Sequence, residues 1–165
     1  MEFIADLSHS VDAYSPSWNG KSGFNLRCTF DYDDAAEGQG FRVQSFEGNA
    51  GIGTHIDAPA HCFPEGKTVD EIPLNFLVVP AFFIDVSIAA NERYRVSVQD
   101  IISFEEKYGA IPGGSFVAFN TGWAHFWDTP KKYRNNYLFP TVTPEAALLL
   151  QQKGIVGMGI DTLSP

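Results

Sequence analysis

Three short apolar runs constrain this chain more than any other feature: residues 76–86, 115–120 and 155–160. Each has the length and composition of a buried strand, and segments bearing helix start and stop signals lie between them. Pro80 interrupts the first run, which therefore reads as two buried strand pieces. Ser97-Val-Gln-Asp100 reads as a capping box with Asp in the acidic position, opening a helix that continues to about Lys107. Gly109 is placed to stop it. Thr143-Pro144-Glu145 supplies an N-cap and a first-turn proline for a second helix over 146–152, which Gly154 ends. Strands alternating with helices predict an α/β fold with parallel pairing. The last run delivers Asp161 at its carboxyl end, where open sheets place functional groups. Turn capping accounts for Asp161 equally well.

The first half reads differently. Residues 4–8 alternate in part and suggest a first strand, with His9 at its end. From 11 to 40 the chain is rich in Ser, Asp, Gly and aromatics, including Trp18, without helical periodicity. That stretch predicts a long loop with one hairpin. Long loops in compact domains are frequently lids or binding loops, and aromatics that tack a loop to the core are an equal alternative. Residues 41–46 carry a weak strand signal. No repeat or linker divides the chain, so a single domain over 1–165 is expected. The sequence stops just past a strand, at Asp161-Thr-Leu-Ser-Pro165, and a further C-terminal segment is expected beyond it.

Composition narrows the function classes. Acidic residues outnumber basic ones 20 to 11, a net charge of −9 that disfavours nucleic acid and membrane partners. Apolar residues make up 44% of the 165, enough for a real core. Two cysteines, Cys28 and Cys62, are too few for a disulfide framework and suit a reducing, cytoplasmic setting. The N-terminus lacks the basic region of a signal peptide, and the longest apolar run is too short to span a bilayer.

The chemistry concentrates in Gly51-Ile-Gly-Thr-His55-Ile-Asp57-Ala-Pro-Ala-His61, which holds two of the four histidines. His55, Asp57 and His61 all carry odd numbers, so an extended chain turns them to one face. Imidazole nitrogen and carboxylate oxygen are ligands for Zn²⁺, Mn²⁺ or Fe²⁺. A metal so held acidifies bound water and polarises a carbonyl, as amide or ester hydrolysis needs. His61 lies up to about 20 Å from His55 along a fully extended chain. It reads as a ligand only if the chain bends at Pro59, and otherwise as a general acid/base beside the metal. Turn capping by His and Asp is the competing explanation; the extra histidine, two glycines and a proline favour the metal. Elsewhere, His125 reads as part of a half-buried aromatic cluster in Trp123-Ala-His-Phe-Trp127, and Cys62 as a buried apolar filler.

The same eleven residues resemble the His-x-Gly-Thr-His-x-Asp-x-Pro-x-His pattern of the cyclase family of metal-dependent hydrolases, which includes kynurenine formamidases and isatin hydrolases. Ala5-Asp-Leu-Ser-His9, Asn120-Thr-Gly-Trp123 and the stretch 139–165 are similar to that family in the same order. The resemblance implies a swivelling β/β/α fold, a mixed sheet with flanking helices. It also implies hydrolysis of an amide or lactam of a small-molecule substrate with a divalent metal, Zn or Mn. Carried over residue by residue, His55 and Asp57 bind metal, His61 assists catalysis, and Trp18 and Trp123 contact substrate, in a dimer or tetramer. Gly51 stands where the pattern has its first metal histidine, with Asn49 nearby. Relatives with two metals take a further His and Glu from beyond the Ser-Pro that ends this sequence. A non-catalytic descendant, kept as a binding or assembly module, is the alternative function.

Overall fold

The computed structural model describes residues 4–36, 38 and 40–165. The chain divides into two compact units, Met1–Ile56 and Asp57–Pro165.

The first unit is built on an antiparallel hairpin of β1 (Phe24–Phe30) and β2 (Val43–Gly48). Only β1 lies in the 11–40 stretch expected to hold a hairpin; its partner is the strand signalled at 41–46, shifted two residues on. Ring pairs bridge the strands or extend them: Phe24 on Phe46 at 5.9 Å and Phe30 on Phe41 at 4.8 Å. At the neck, Arg42 grips both oxygens of Asp31 through Nε and Nη2, each at 2.9 Å. Asp31 also accepts the Tyr32 N–H and opens a short 3-10 turn, Tyr32–Asp34.

The strand expected over 4–8 is absent, and Ile4 and Leu7 are exposed. Local chemistry explains this. The Asp6 carboxylate accepts the Ser8 N–H at 2.9 Å, closing a side-chain turn that competes with ladder pairing. His9 does not end a strand; its N–H donates to Thr54 Oγ1 at 3.2 Å.

The second unit holds a three-stranded parallel sheet in the order β3-β5-β7, where β3 is Ala81–Asp85, β5 is Phe116–Asn120 and β7 is Gly157–Ile160. A small parallel pair, β4 (Arg95–Val96) with β6 (Thr141–Val142), lies between these in the chain. Three helices connect them: α1 (Val98–Tyr108), the short α2 (Pro130–Arg134) and α3 (Pro144–Gln152). Central strand β5 buries Val117 and Phe119 completely or nearly so, against Ile101 of α1 and Ala146 and Leu150 of α3. The Phe116 ring lies over both glycines of β7. A Cβ on Gly159 would come within 2.9 Å of it, so only glycine fits that packing.

Both helix starts form as the sequence predicts. Asp100 accepts the Ser97 N–H at 2.7 Å and caps α1; Gly109, at φ 96°, ends it. Thr143 Oγ1 accepts the Ala146 N–H at 3.2 Å and Pro144 takes the first turn of α3. Asp100 Oδ1 also accepts the Tyr94 hydroxyl, whose pKa burial and the carboxylate push up to about 12.

The run 76–86 is corrected. Its first residue, Phe76, ends a 3-10 turn, Leu74–Phe76, residues 77–80 are turn and irregular backbone, and only β3 is a strand. Pro80 cannot donate to a ladder, so pairing starts after it, with the Pro80 carbonyl accepting the Phe116 N–H at 2.9 Å. Within β3 Ile84 is buried but Phe83 is 61% exposed, so the strand is not covered on both faces.

Candidate metal and proton-transfer site

The boundary between the units falls inside the motif, after Ile56. The first unit therefore carries Gly51 and His55, and the second carries Asp57 and His61.

Gly53 has φ 72°, and a Cβ on it would meet Val11 Cγ2 at 2.4 Å; both facts require glycine. The tight turn so formed aims the Gly53 carbonyl at His55 Nδ1, 2.8 Å away. A carbonyl only accepts, so Nδ1 carries a proton and the contact fixes the ring's orientation. This carbonyl-to-imidazole contact is the outer-shell arrangement that orients metal-binding histidines. Nε2 faces Gly51, where an added Cβ would lie 3.2 Å away. Asn49, nearby, uses its backbone to close the hairpin: its N–H donates to the Gly23 carbonyl and its carbonyl accepts from Ile52.

In the second unit the chain bends at Pro59, the first residue of a 3-10 turn, Pro59–His61. The His61 N–H donates to the Ala58 carbonyl at 2.8 Å, and the Ala60 N–H donates to the Lys67 carbonyl at 3.0 Å. Gly66 lets the returning chain pass, since a Cβ there would meet the Pro59 carbonyl carbon at 2.6 Å. The odd-number alternation thus stops at the turn, and His61 is carried on it, exposed. Cys62 is corrected by the same turn: it is exposed, because it caps the turn instead of alternating along a strand. Asp57 is also exposed. Among the described residues, no three His, Cys, Asp or Glu side chains group to hold a metal ion. His55 fits a ligand's role; a three-ligand set is not assembled.

At the carboxyl ends of the parallel strands, Asp161 is a hub. Its Oδ1 accepts the Thr121 N–H (2.9 Å) and hydroxyl (2.6 Å), and Oδ2 accepts the Ala124 N–H (3.2 Å). Its carbonyl accepts the buried Tyr133 hydroxyl at 3.0 Å, whose pKa is raised by burial and by the Asp161 charge. Trp123 lies within this network. It is buried, with its indole N–H donating to the Tyr133 carbonyl at 2.8 Å, and its ring packs on Phe126. Trp18, by contrast, is 57% exposed in the first unit. His125 is exposed and edges against Phe126 at 5.4 Å, so only its ring contact matches the half-buried cluster expected. One strand over, Asp85 accepts the Ser87 N–H and the Asn120 amide, and its carboxyl is held below the usual range chiefly by Ser87.

Thr121 and Tyr133 were not singled out from the sequence. The signal for Thr121 was a small hydroxyl between a strand and a Gly-Trp turn; Tyr133 offers none, because its partner lies 28 residues on.

Comparison with known proteins agrees with this architecture. The chain is 27% identical over 157 residues to the kynurenine formamidase of Geobacillus thermodenitrificans, covering 94% of this chain and 66% of that protein. Isatin hydrolase A from Labrenzia aggregata, solved bound to benzyl benzoate, is 28% identical with a TM-score of 0.81, over 96% of this chain and 67% of that one. A solved structure described as a potential metal-dependent hydrolase with cyclase activity is 28% identical with a TM-score of 0.71, at the same coverage. The chain therefore spans about two-thirds of the length of these relatives. It shares their α/β fold with parallel and antiparallel sheets. The family described as Putative cyclase matches residues 5–165, and the chain belongs to it.

Proposed function

We infer that the chain carries the motif half-sites of a hydrolase that cleaves an amide or lactam C–N bond, with an aryl formamide such as N-formylkynurenine as the leading substrate. The observation that carries this reading is the Gly53 carbonyl on His55 Nδ1, the contact that orients a metal-binding imidazole. His55 and Asp57 would hold a Zn or Mn ion, which supplies a Lewis acid able to polarise a carbonyl and acidify water. His61, exposed on its turn, would take a proton from the attacking water and return one to the departing nitrogen. Trp18 offers an exposed ring to an aryl substrate, and Trp123 packs on Phe126, which in turn contacts the His125 ring. A homo-oligomer, dimer or tetramer, belongs to the reading; exposed aromatics on the hairpin, with Phe46 at 75%, support it.

Gly51 favours a second reading. Catalytic zinc ordinarily takes three protein ligands, and glycine supplies none. A cyclase-family binding or assembly module would keep the fold without turnover.

Metal content by inductively coupled plasma mass spectrometry, on the wild type and Asp57→Ala, separates the two. Near-stoichiometric Zn or Mn that is lost in the variant, with turnover of N-formylkynurenine abolished by chelation, supports the hydrolase. Protein that stays metal-free after incubation with both ions supports the module.

A further inference from the structure

The chain is strongly acidic, yet three of its 11 basic residues crowd into α2: Lys131, Lys132 and Arg134. From 123 to 142 the only carboxylate is Asp128. The helix turns Tyr133 inward, where it is buried. At 100° per residue the three cations then fan across the outward half of the helix. Complementing the dipole of a five-residue helix does not require three of them.

Two features pre-organise this surface. The Lys132 ammonium stands 5.0 Å from the Phe126 ring centre and 5.9 Å from that of Trp123, and the Arg134 guanidinium stands 6.0 Å from that of Tyr137. Cations resting on ring faces have less conformational freedom to lose when an anion arrives. The helix then ends in three successive left-handed residues, Asn135, Asn136 and Tyr137, at φ 40°, 53° and 64°. Non-glycine residues pay for that conformation, and such outliers cluster where a surface must be presented in one shape. The Asn135 side chain holds the turn by donating to the Leu138 carbonyl at 2.7 Å.

We propose that α2 and its left-handed turn form a docking surface for an acidic polypeptide segment. The choice of partner rests on range. At physiological salt, charges interact over about 8 Å, close to the length of α2, so a short acidic peptide senses the local excess of cations. Nucleic acids and anionic vesicles extend far beyond the patch and meet the −9 charge of the whole chain. The inference stands independently of the hydrolase reading.

The test is fluorescence anisotropy of a labelled deca-glutamate peptide titrated with the full chain. At about 20 mM salt the wild type should bind, and affinity should fall about tenfold or more by about 150 mM. Lys131→Glu with Arg134→Glu should weaken binding by about tenfold while keeping Lys132 on its rings. Lys21→Glu with Lys67→Glu, the same charge change elsewhere, should leave it within about twofold. Far-ultraviolet circular dichroism confirms that the variants fold. No binding by the wild type at low salt overturns the proposal, as does equal weakening by both variants. Tighter binding to a DNA duplex or to phosphatidylserine vesicles than to the peptide overturns the choice of partner. So does a wild type that self-associates through these residues and leaves the peptide unbound.

Discussion

Gly51 and Nε2 of His55 stand so close that a Cβ on the glycine would lie 3.2 Å from the nitrogen. The position that holds a histidine in the family pattern is therefore in direct reach of the His55 ring. Gly51→His places a second imidazole beside the first, and the exposed His55 ring can give the few tenths of an ångström required. Zn²⁺ affinity, measured by competition with a chromogenic chelator, should rise about tenfold or more. Unchanged affinity would show that ligand number at this position is not what limits metal binding.

Asp161 satisfies three donors with one side chain, two of them on Thr121. Asp161→Ala strands these groups in a part-buried loop and should lower unfolding free energy by about 2–4 kcal/mol in urea titration. Thr121→Val removes only the hydroxyl and should cost about 1 kcal/mol. The double variant should cost less than the sum, since both remove the same bond.

Glu105 joins the end of α1 to the end of α3, accepting from Lys153 Nζ and the Ile111 N–H, each at 2.8 Å. Burial pushes its carboxyl up, but Lys153 and the Ile111 N–H outweigh burial and hold it below 4.5. A lowered folded value means the stabilisation is full above about pH 4.5 and is lost as pH falls through the folded value. Glu105→Gln should cost about 1 kcal/mol at pH 7 and little at pH 3, and should flatten the acid limb of the stability profile. An unchanged acid limb would assign it to other carboxylates.

Phe116 and Gly159 pack ring against backbone across β5 and β7. Gly159→Ala should cost about 1–3 kcal/mol by overpacking. Adding Phe116→Leu, which frees space over the strand, should recover part of that loss; thermal melts of the single and double variants decide it. Full additivity would mean that the clash lies elsewhere.

Local order alone determined much of this protein. The capping box at Ser97, the N-cap at Thr143, the stops at Gly109 and Gly154, and the strands at 116–120 and 157–160 depend on neighbours within a few residues, so their signals are legible in the string. The motif at 51–61 was legible too, as a family resemblance that the comparisons bear out. What the string could not decide were contacts closed over long separations. One local competition also escaped the pattern: residues 4–8 alternate like a strand, but the Asp6 carboxylate accepts the Ser8 N–H two residues on. Cys62 and His61 follow a 3-10 turn instead of an extended chain, because Lys67 and Gly66 return against Pro59 and Ala60. Asp161 became a hub only because parallel pairing brought the ends of β5 and β7 side by side, 40 residues apart in sequence. Capping and periodicity are energies of adjacent residues and can be read in order. Strand partnership, burial and the gathering of donors around one carboxylate depend on which distant segments meet, and only tertiary structure supplies that.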